Sequence, residues 1–270
     1  MLRNEGDRLR RVVVCAPRRE YFNVADLRAH NIVEVADPDS TRRQHDALKA
    51  LMTQCGCEVI DVPELAGHPN SVFTRDVALC APAGYVKLRM GLPSRRGEEE
   101  WMAQALESLG EPCAGEITAP GTVEGGDVIL AGEVAFVGLS ARTNRQGVRQ
   151  ISHILGRMGY EVRIAPLSPS TLHIGGMMSA VGPDRILYIP DIFPQDYFRG
   201  FRTIEVPQLG PSSGNVICLG KDEVIANAAE NAETTRILED AGVKVQGVDL
   251  SEFRKGAGGP SCLILPVERG

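Results

Sequence analysis

The sequence has no apolar run near the ~20 residues that a membrane-crossing helix needs, although 43% of its residues are hydrophobic. Its opening, Met1-Leu2-Arg3-Asn4-Glu5-Gly6, lacks the apolar core of a secretory signal. A cytoplasmic location is the expectation that follows. Seven cysteines make an odd count, and none belongs to a CxxC pair. Cys55 and Cys57 are too close for the usual zinc spacing, and no histidine is arranged beside them. The five histidines show no HExxH spacing. Neither a metal site nor a disulfide framework is expected. No GxGxxG or GxxxxGK(S/T) loop follows a strand. Gly125-Gly126 and Gly175-Gly176 each lead into a strand, which is the wrong context for phosphate at a helix N-terminus. Positive charge is also short, with 29 basic against 35 acidic residues and a net charge of −6. That balance argues against a nucleic-acid or anionic-membrane surface.

What is present is a weak internal repeat. Five segments carry small or polar residues followed at once by an apolar strand. They begin at Asn70, Glu124, His173, Ser213 and Gly258, about 40 to 55 residues apart. Second strands are expected over 133–137, 185–189 and 223–226. The spacing of apolar residues predicts helices over 41–55, 98–109, 144–158 and 228–241. Three of them hand over to a strand through a glycine: Gly56-Cys57-Glu58-Val59-Ile60, Gly159-Tyr160-Glu161-Val162-Arg163 and Gly242-Val243-Lys244-Val245-Gln246. Each unit therefore reads strand, strand, helix, strand. No such unit buries its own apolar face, so the five are expected to stand about an axis, with the ring closed by joining the chain ends. The expected class is α/β, as one catalytic domain over 1–270. The alternative is an open α/β sheet with coincidental spacing.

The repeat lines up Asp76, Glu124 with Asp127, His173, Asn215 and Cys262 around one centre. Alone, Cys262 in Gly258-Gly259-Pro260-Ser261-Cys262 reads as a core cysteine. Beside a histidine, a thiolate is an activated nucleophile. Carboxylates nearby would raise its pKa unless a cation lay between, and a guanidinium is the planar cation that carboxylates bind best. A cationic substrate is therefore expected.

The ordered set Phe73-Thr74-Arg75-Asp76, Glu124-Gly125-Gly126-Asp127, Arg142-Thr143-Asn144, Leu172-His173 and Gly-Gly-Pro-x-Cys resembles the guanidino-group-modifying superfamily. That group holds dimethylarginine dimethylaminohydrolases, arginine deiminases and amidinotransferases. The resemblance implies a five-bladed α/β propeller (pentein) of ββαβ repeats around a central active site. The segments Gly91 to Glu99 and Val137 to Asn144 look most like the dimethylarginine hydrolases. By that likeness, Cys262 is the nucleophile and His173 the general acid/base. Asp76 and Glu124 hold the guanidinium, and Arg95 and Arg142 hold the amino-acid carboxylate. Asn70 is counted with the substrate-binding residues and Asp127 with their support. The implied reaction turns methylated arginine into citrulline and an amine through a covalent thiouronium. It needs no cofactor. The expected partner is a small guanidino compound, with no nucleic acid and no membrane, and a homodimer is compatible.

The chain departs from that pattern in two ways. Dimethylarginine hydrolases carry acids where Arg75 and Asn70 stand, whereas Arg75-Asp76 is closer to arginine deiminases and Asn70 to arginine dihydrolases. Arginine deiminases place an Asp where Gly175 stands, so room for a substituted nitrogen is expected there. Arginine deiminase or dihydrolase activity is the alternative function. An amidinotransferase or a non-catalytic binding propeller ranks behind it. The loop from Asn23 to Asn31 is a candidate lid.

Overall fold

The computed structural model describes residues 1–210, 213–220 and 222–270. The chain opens with β1 (Leu9–Cys15), α1 (Pro38–Gln54) and β2 (Glu58–Val62). It continues with β3 (Ala78–Ala81), β4 (Gly84–Lys87), α2 (Glu98–Ser108) and β5 (Cys113–Glu116). Next come β6 (Val128–Ala131), β7 (Val134–Leu139), α3 (Arg145–Arg157) and β8 (Glu161–Pro166). Then β9 (Met178–Gly182), β10 (Arg185–Tyr188), β11 (Arg202–Glu205), β12 (Ile217–Gly220), β13 (Glu223–Asn227), α4 (Ala232–Asp240) and β14 (Lys244–Val248). The short α5 (Ser251–Arg254) and β15 (Leu265–Arg269) end it.

Among the described residues these strands make five three-stranded sheets, each one blade of a propeller-like pentein fold. In the blades begun by β3, β6, β9 and β12, the first strand pairs antiparallel with the second, which pairs parallel with the third. The remaining blade draws on both chain ends. β15 pairs antiparallel with β1, through Val12 opposite Pro266 and Val13 opposite Leu265, and β1 pairs parallel with β2. The expected closure through the termini is thus found.

The first strands are buried throughout, as in Ala78–Ala81, Val128–Ala131 and Met178–Gly182. They read as unbroken apolar runs because both of their faces meet protein. Third strands such as Glu161–Pro166 mix exposed and half-buried positions. Local signals bound the helices. Asp37 caps α1, accepting a hydrogen bond from the Ser40 amide at 2.8 Å, and Pro38 occupies the first helical turn. Asn144 caps α3 through the Gly147 amide at 2.8 Å. Gly56 and Gly159 close these two helices with φ of +82° and +92°, a conformation that disfavours a Cβ.

One unit departs from the expected strand, strand, helix, strand order. Between β10 and β11 the chain runs as a loop. Pro190 and Pro194 each remove an amide donor, and Asp191 and Asp196 take positive φ. In place of a helix, Tyr197 and Phe198 pack on Phe136, with ring centroids 5.1 and 5.6 Å away.

Candidate active site

Each blade's first strand is entered through a tight turn, and the candidate residues sit on those turns. Asp76 ends the turn Thr74–Asp76, Glu124 precedes the turn Gly125–Asp127 and Asp127 ends it. His173 precedes Ile174–Gly176, and Cys262 lies within Pro260–Leu263. Asn215 stands at the fifth equivalent place, just before β12. Side chains drawn from far along the chain thereby face one centre.

Glu124 is the most heavily engaged of them. One oxygen accepts the Gly91 and Leu92 amides at 3.0 Å each, and the other lies 2.8 Å from His173 Nε2. Arg142 reaches both oxygens, at 3.3 and 3.2 Å. Burial alone would raise the Glu124 pKa, but the hydrogen bond and charge of His173, with Arg142 and Arg95, hold it well below the usual range. His173 is the reciprocal case. Burial favours neutral imidazole, yet Asp76, Asp127 and Glu124 outweigh it and raise the pKa to about 9. The ring is therefore a cation at neutral pH. Its Nδ1 lies 3.7 Å from Asp76 Oδ1. Asp127 stands behind, accepting from Ser140 Oγ at 2.6 Å and the Ile174 amide at 3.0 Å. Burial pushes its pKa to about 6, against the pull of His173 and these donors.

Arg95 is 3% exposed and its donors are engaged. It donates to Asp76 at 2.5 Å, to Glu98 at 2.8 Å and to the Phe73 carbonyl at 3.1 Å. It lies at the protein's own carboxylates, as does Arg142. Internal guanidiniums therefore also offset the charge of Asp76 and Glu124, which the sequence reading did not anticipate. Glu98, fully buried and three residues beyond Arg95, was not singled out from the sequence, although that spacing on a helix start was visible.

The Cys262 thiol is half-buried, and among the described residues its one side-chain hydrogen bond is a long one from Asn215 Nδ2, at 3.9 Å. Burial and then the charge of Asp76 push its pKa up to about 11, while the Gly259 backbone, Arg75 and Arg95 pull the other way. With no added cation, the neutral thiol dominates at pH 7. The neighbouring glycines serve the protein itself. A Cβ on Gly258 would lie 2.2 Å from Phe73, and one on Gly259 would lie 2.8 Å from Asn215. The close approach these glycines permit is to side chains of the fold.

Cys262 and His173 border two adjoining cavities. A wide one of about 720 Å³ is lined also by Leu27, Arg28, Gly176, Met177 and Arg254. A small one of about 20 Å³ is lined by Asn70, Asp76, Arg95 and Arg142. Asn70 is buried. It donates to the His30 carbonyl at 3.1 Å, while its Oδ1 has no hydrogen-bond partner among the described residues. Leu27, Arg28, His30 and Asn31, from the loop named as a lid candidate, line the two cavities, and Ala29 O accepts from Ser94 at 2.7 Å. The room expected at Gly175 is absent, because a Cβ there would lie 3.0 Å from the Gly126 carbonyl. The open space lies one residue on, at Gly176.

Asp76, Glu124 and His173 are near enough to share a cation, their ligating atoms all within 4.8 Å of one another. A metal ion would have to displace Arg95, Arg142 and the Glu124–His173 hydrogen bond. A planar organic cation can share the same acceptors edge-on.

A sequence model of the family described as N,N dimethylarginine dimethylhydrolase, eukaryotic, matches residues 28–269. The chain belongs to this dimethylarginine hydrolase family. A dimethylarginine dimethylaminohydrolase of Pseudomonas aeruginosa is 31% identical over 82% of this chain and 86% of its own. A solved structure of that organism's enzyme, a cysteine-to-serine variant complexed with citrulline, superposes with a TM-score of 0.84. It is 28% identical and covers 96% of this chain and 99% of its own. An arginine dihydrolase domain from cyanobacteria, 23% identical with a TM-score of 0.83, shares the dimethylarginine hydrolase fold; it covers 97% of this chain and 98% of its own. No helix among the described residues is long and apolar enough to cross a membrane.

Proposed function

We propose that the protein hydrolyses the guanidino C–N bond of a methylated arginine, with Cys262 as nucleophile and His173 as acid and base. The observation that carries this is the meeting of a half-buried thiol and an imidazolium at the border of one cavity system, with Asp76 and Glu124 beside them. The substrate cation binds against these carboxylates and adds the positive charge that favours thiolate. As the substrate cation arrives the Cys262 thiol releases its proton to solvent, and the thiolate sulfur attacks the guanidino carbon and forms a tetrahedral adduct. His173, already protonated, gives its proton to the departing amine, and the C–N bond breaks to leave a thiouronium on sulfur. The neutral imidazole then takes a proton from water, whose oxygen adds to the same carbon. Collapse breaks the C–S bond and releases citrulline. Glu124 holds the imidazole in place throughout, and Asp127 supports it.

Arg142, with 9% of its surface exposed and two long contacts to Glu124 from one nitrogen, is the cation freer to turn to the substrate carboxylate. Arg95 is held by four acceptors and keeps Asp76 in place. Asn70 offers its unpartnered oxygen to the small cavity. That neutral amide favours the second reading, hydrolysis of free arginine to citrulline or ornithine with loss of ammonia. The proposal takes 1–270 as one catalytic domain working in the cytoplasm without a cofactor, and a homodimer is compatible with it. Incubation with dimethylarginine, monomethylarginine and arginine, with products identified by mass, tests it. Citrulline with dimethylamine supports the first reading, and ammonia from free arginine supports the second. No turnover of any of the three overturns both.

A further inference from the structure

The turn that carries Cys262 has a second side. Ser261 borders a separate small cavity of about 20 Å³ with Glu5, Arg75 and Arg269, away from the two cavities that Cys262 borders. The first seven residues supply Glu5 to that side. The Glu5 amide donates to Leu130 O at 2.7 Å, Tyr160 donates to Arg3 O at 2.6 Å, and Arg269 donates to Asp7 O at 2.8 Å. Gly6 lies so tightly on the Gly182 carbonyl that a Cβ would be 1.9 Å from its oxygen. Leu2 is buried in the core.

Glu5 and Arg75 form a buried bidentate pair, at 2.8 and 2.7 Å, with exposures of 8% and 4%. Arg75 also donates to Val128 O at 2.7 Å and Gly125 O at 3.3 Å, and Glu5 accepts the Leu130 amide at 3.1 Å. A guanidinium tethered to three separate groups has one position. Its residue directly precedes Asp76, on a turn packed against the Cys262 turn.

We propose that the Glu5–Arg75 pair is a positioning device for the thiol: the N-terminal segment fixes a cation behind the Cys262 turn, and that cation sets the thiol's reactivity. The inference rests on Cys262 being the nucleophile. Arg75 and Cys262 interact electrostatically, each favouring the other's charged form. The substrate's guanidinium acts on the thiol from the cavity side, and Arg75 acts from the closed side. The N-terminus, remote in sequence from every other site residue, thereby joins the chemistry.

The test uses the full chain and the rate of Cys262 alkylation by iodoacetamide at pH 8, read by peptide mass spectrometry. Exposed Cys113 serves as the internal reference. Glu5→Gln leaves Arg75 charged with its carbonyl acceptors, so alkylation of Cys262 is expected to speed up severalfold. The double variant Glu5→Gln/Arg75→Gln removes the cation without leaving a buried orphan charge. A thiol pKa raised by about one unit cuts the thiolate tenfold, and the greater nucleophilicity of the more basic thiolate returns part of that, so alkylation slows about threefold. Opposite signs in the two variants, with Cys113 unchanged, support the proposal. Rates unmoved in folded protein, or moved in the same direction in both, overturn it. The readout does not need turnover. Failure of the nucleophile reading would show separately, as activity surviving Cys262→Ser.

Discussion

The turns Glu124 to Asp127 and Gly259 to Leu263 occupy the same place in two blades and are built to opposite ends. In the first, both carboxylates are fully buried, and each accepts hydrogen bonds from amides and side chains around it. In the second, the Cys262 sulfur has one weak side-chain donor among the described residues and borders two cavities. The fold supplies equivalent positions, and the donors around each decide what it does. A saturated group can only hold something else in place. An under-partnered one can react, because attack costs it few existing bonds.

The largest test of this contrast is the removal of the proposed nucleophile. Cys262→Ser is expected to lower citrulline formation by roughly a thousandfold or more while leaving the thermal transition nearly unmoved. A variant that keeps turnover within a factor of ten would end the comparison, since the thiol turn would then be structural too.

Glu124→Gln attacks the holding turn. It strips His173 of its anionic partner and leaves Arg142 buried beside an amide. A loss of kcat of about a hundredfold or more is expected, with destabilisation on the order of 3 kcal/mol, followed by citrulline assay and urea unfolding. The pH dependence has a definite sign. The folded pKa of His173 is raised to about 9 from an ordinary 6.5. The stability it contributes is full below about pH 6.5 and is lost as pH rises through about 9. The parent is therefore expected to melt progressively lower between pH 6.5 and 9.5, and Glu124→Gln should flatten that slope. An identical slope in both proteins would show that Glu124 does not hold the ring as a cation.

Gly126→Ala probes spacing within the same turn. The added Cβ would stand 2.6 Å from His173 Nδ1 and 2.8 Å from Asp76 Oδ1. Pushing these apart by a few tenths of an ångström is expected to cost about tenfold in kcat, with a smaller change in KM. Equal turnover in parent and variant would mean that the imidazole position is not critical.

Asp127→Asn should have the smallest effect. The folded pKa of Asp127, about 6, lies above its ordinary 3.8, so ionising it costs stability as pH rises through 6. The amide removes that cost and weakens the grip on His173, so stability at pH 8 should change by less than about 1 kcal/mol. A larger loss would make Asp127 as important a holder as Glu124.

Much of the architecture was legible because its signals are local. Apolar runs marked the buried first strands, 3.6-residue spacing marked the four long helices, and glycines marked their ends. The one missing helix was also foreseeable in principle, since Pro190 and Pro194 fall where it would run. The weakly patterned strands Cys113–Glu116 and Arg202–Glu205 were not, because exposed or polar positions dominate them. The repeat brought Cys262, His173, Asp76 and Glu124 to one centre without reference to any contact. It did not show Glu98 behind Arg95, Ser140 on Asp127, or Glu5 on Arg75, because these partners lie outside the repeated positions.

By itself the sequence determined the five-unit α/β architecture, the closure through the chain ends and the set of turns that meet, since periodicity and small-residue punctuation act over a few residues. Only the tertiary structure decided the charge states. Whether His173 is a cation, whether Cys262 rests as a thiol and which guanidiniums sit on Asp76 and Glu124 depend on burial and on distances of a few ångströms between residues tens of positions apart. Those quantities do not exist until the blades are assembled.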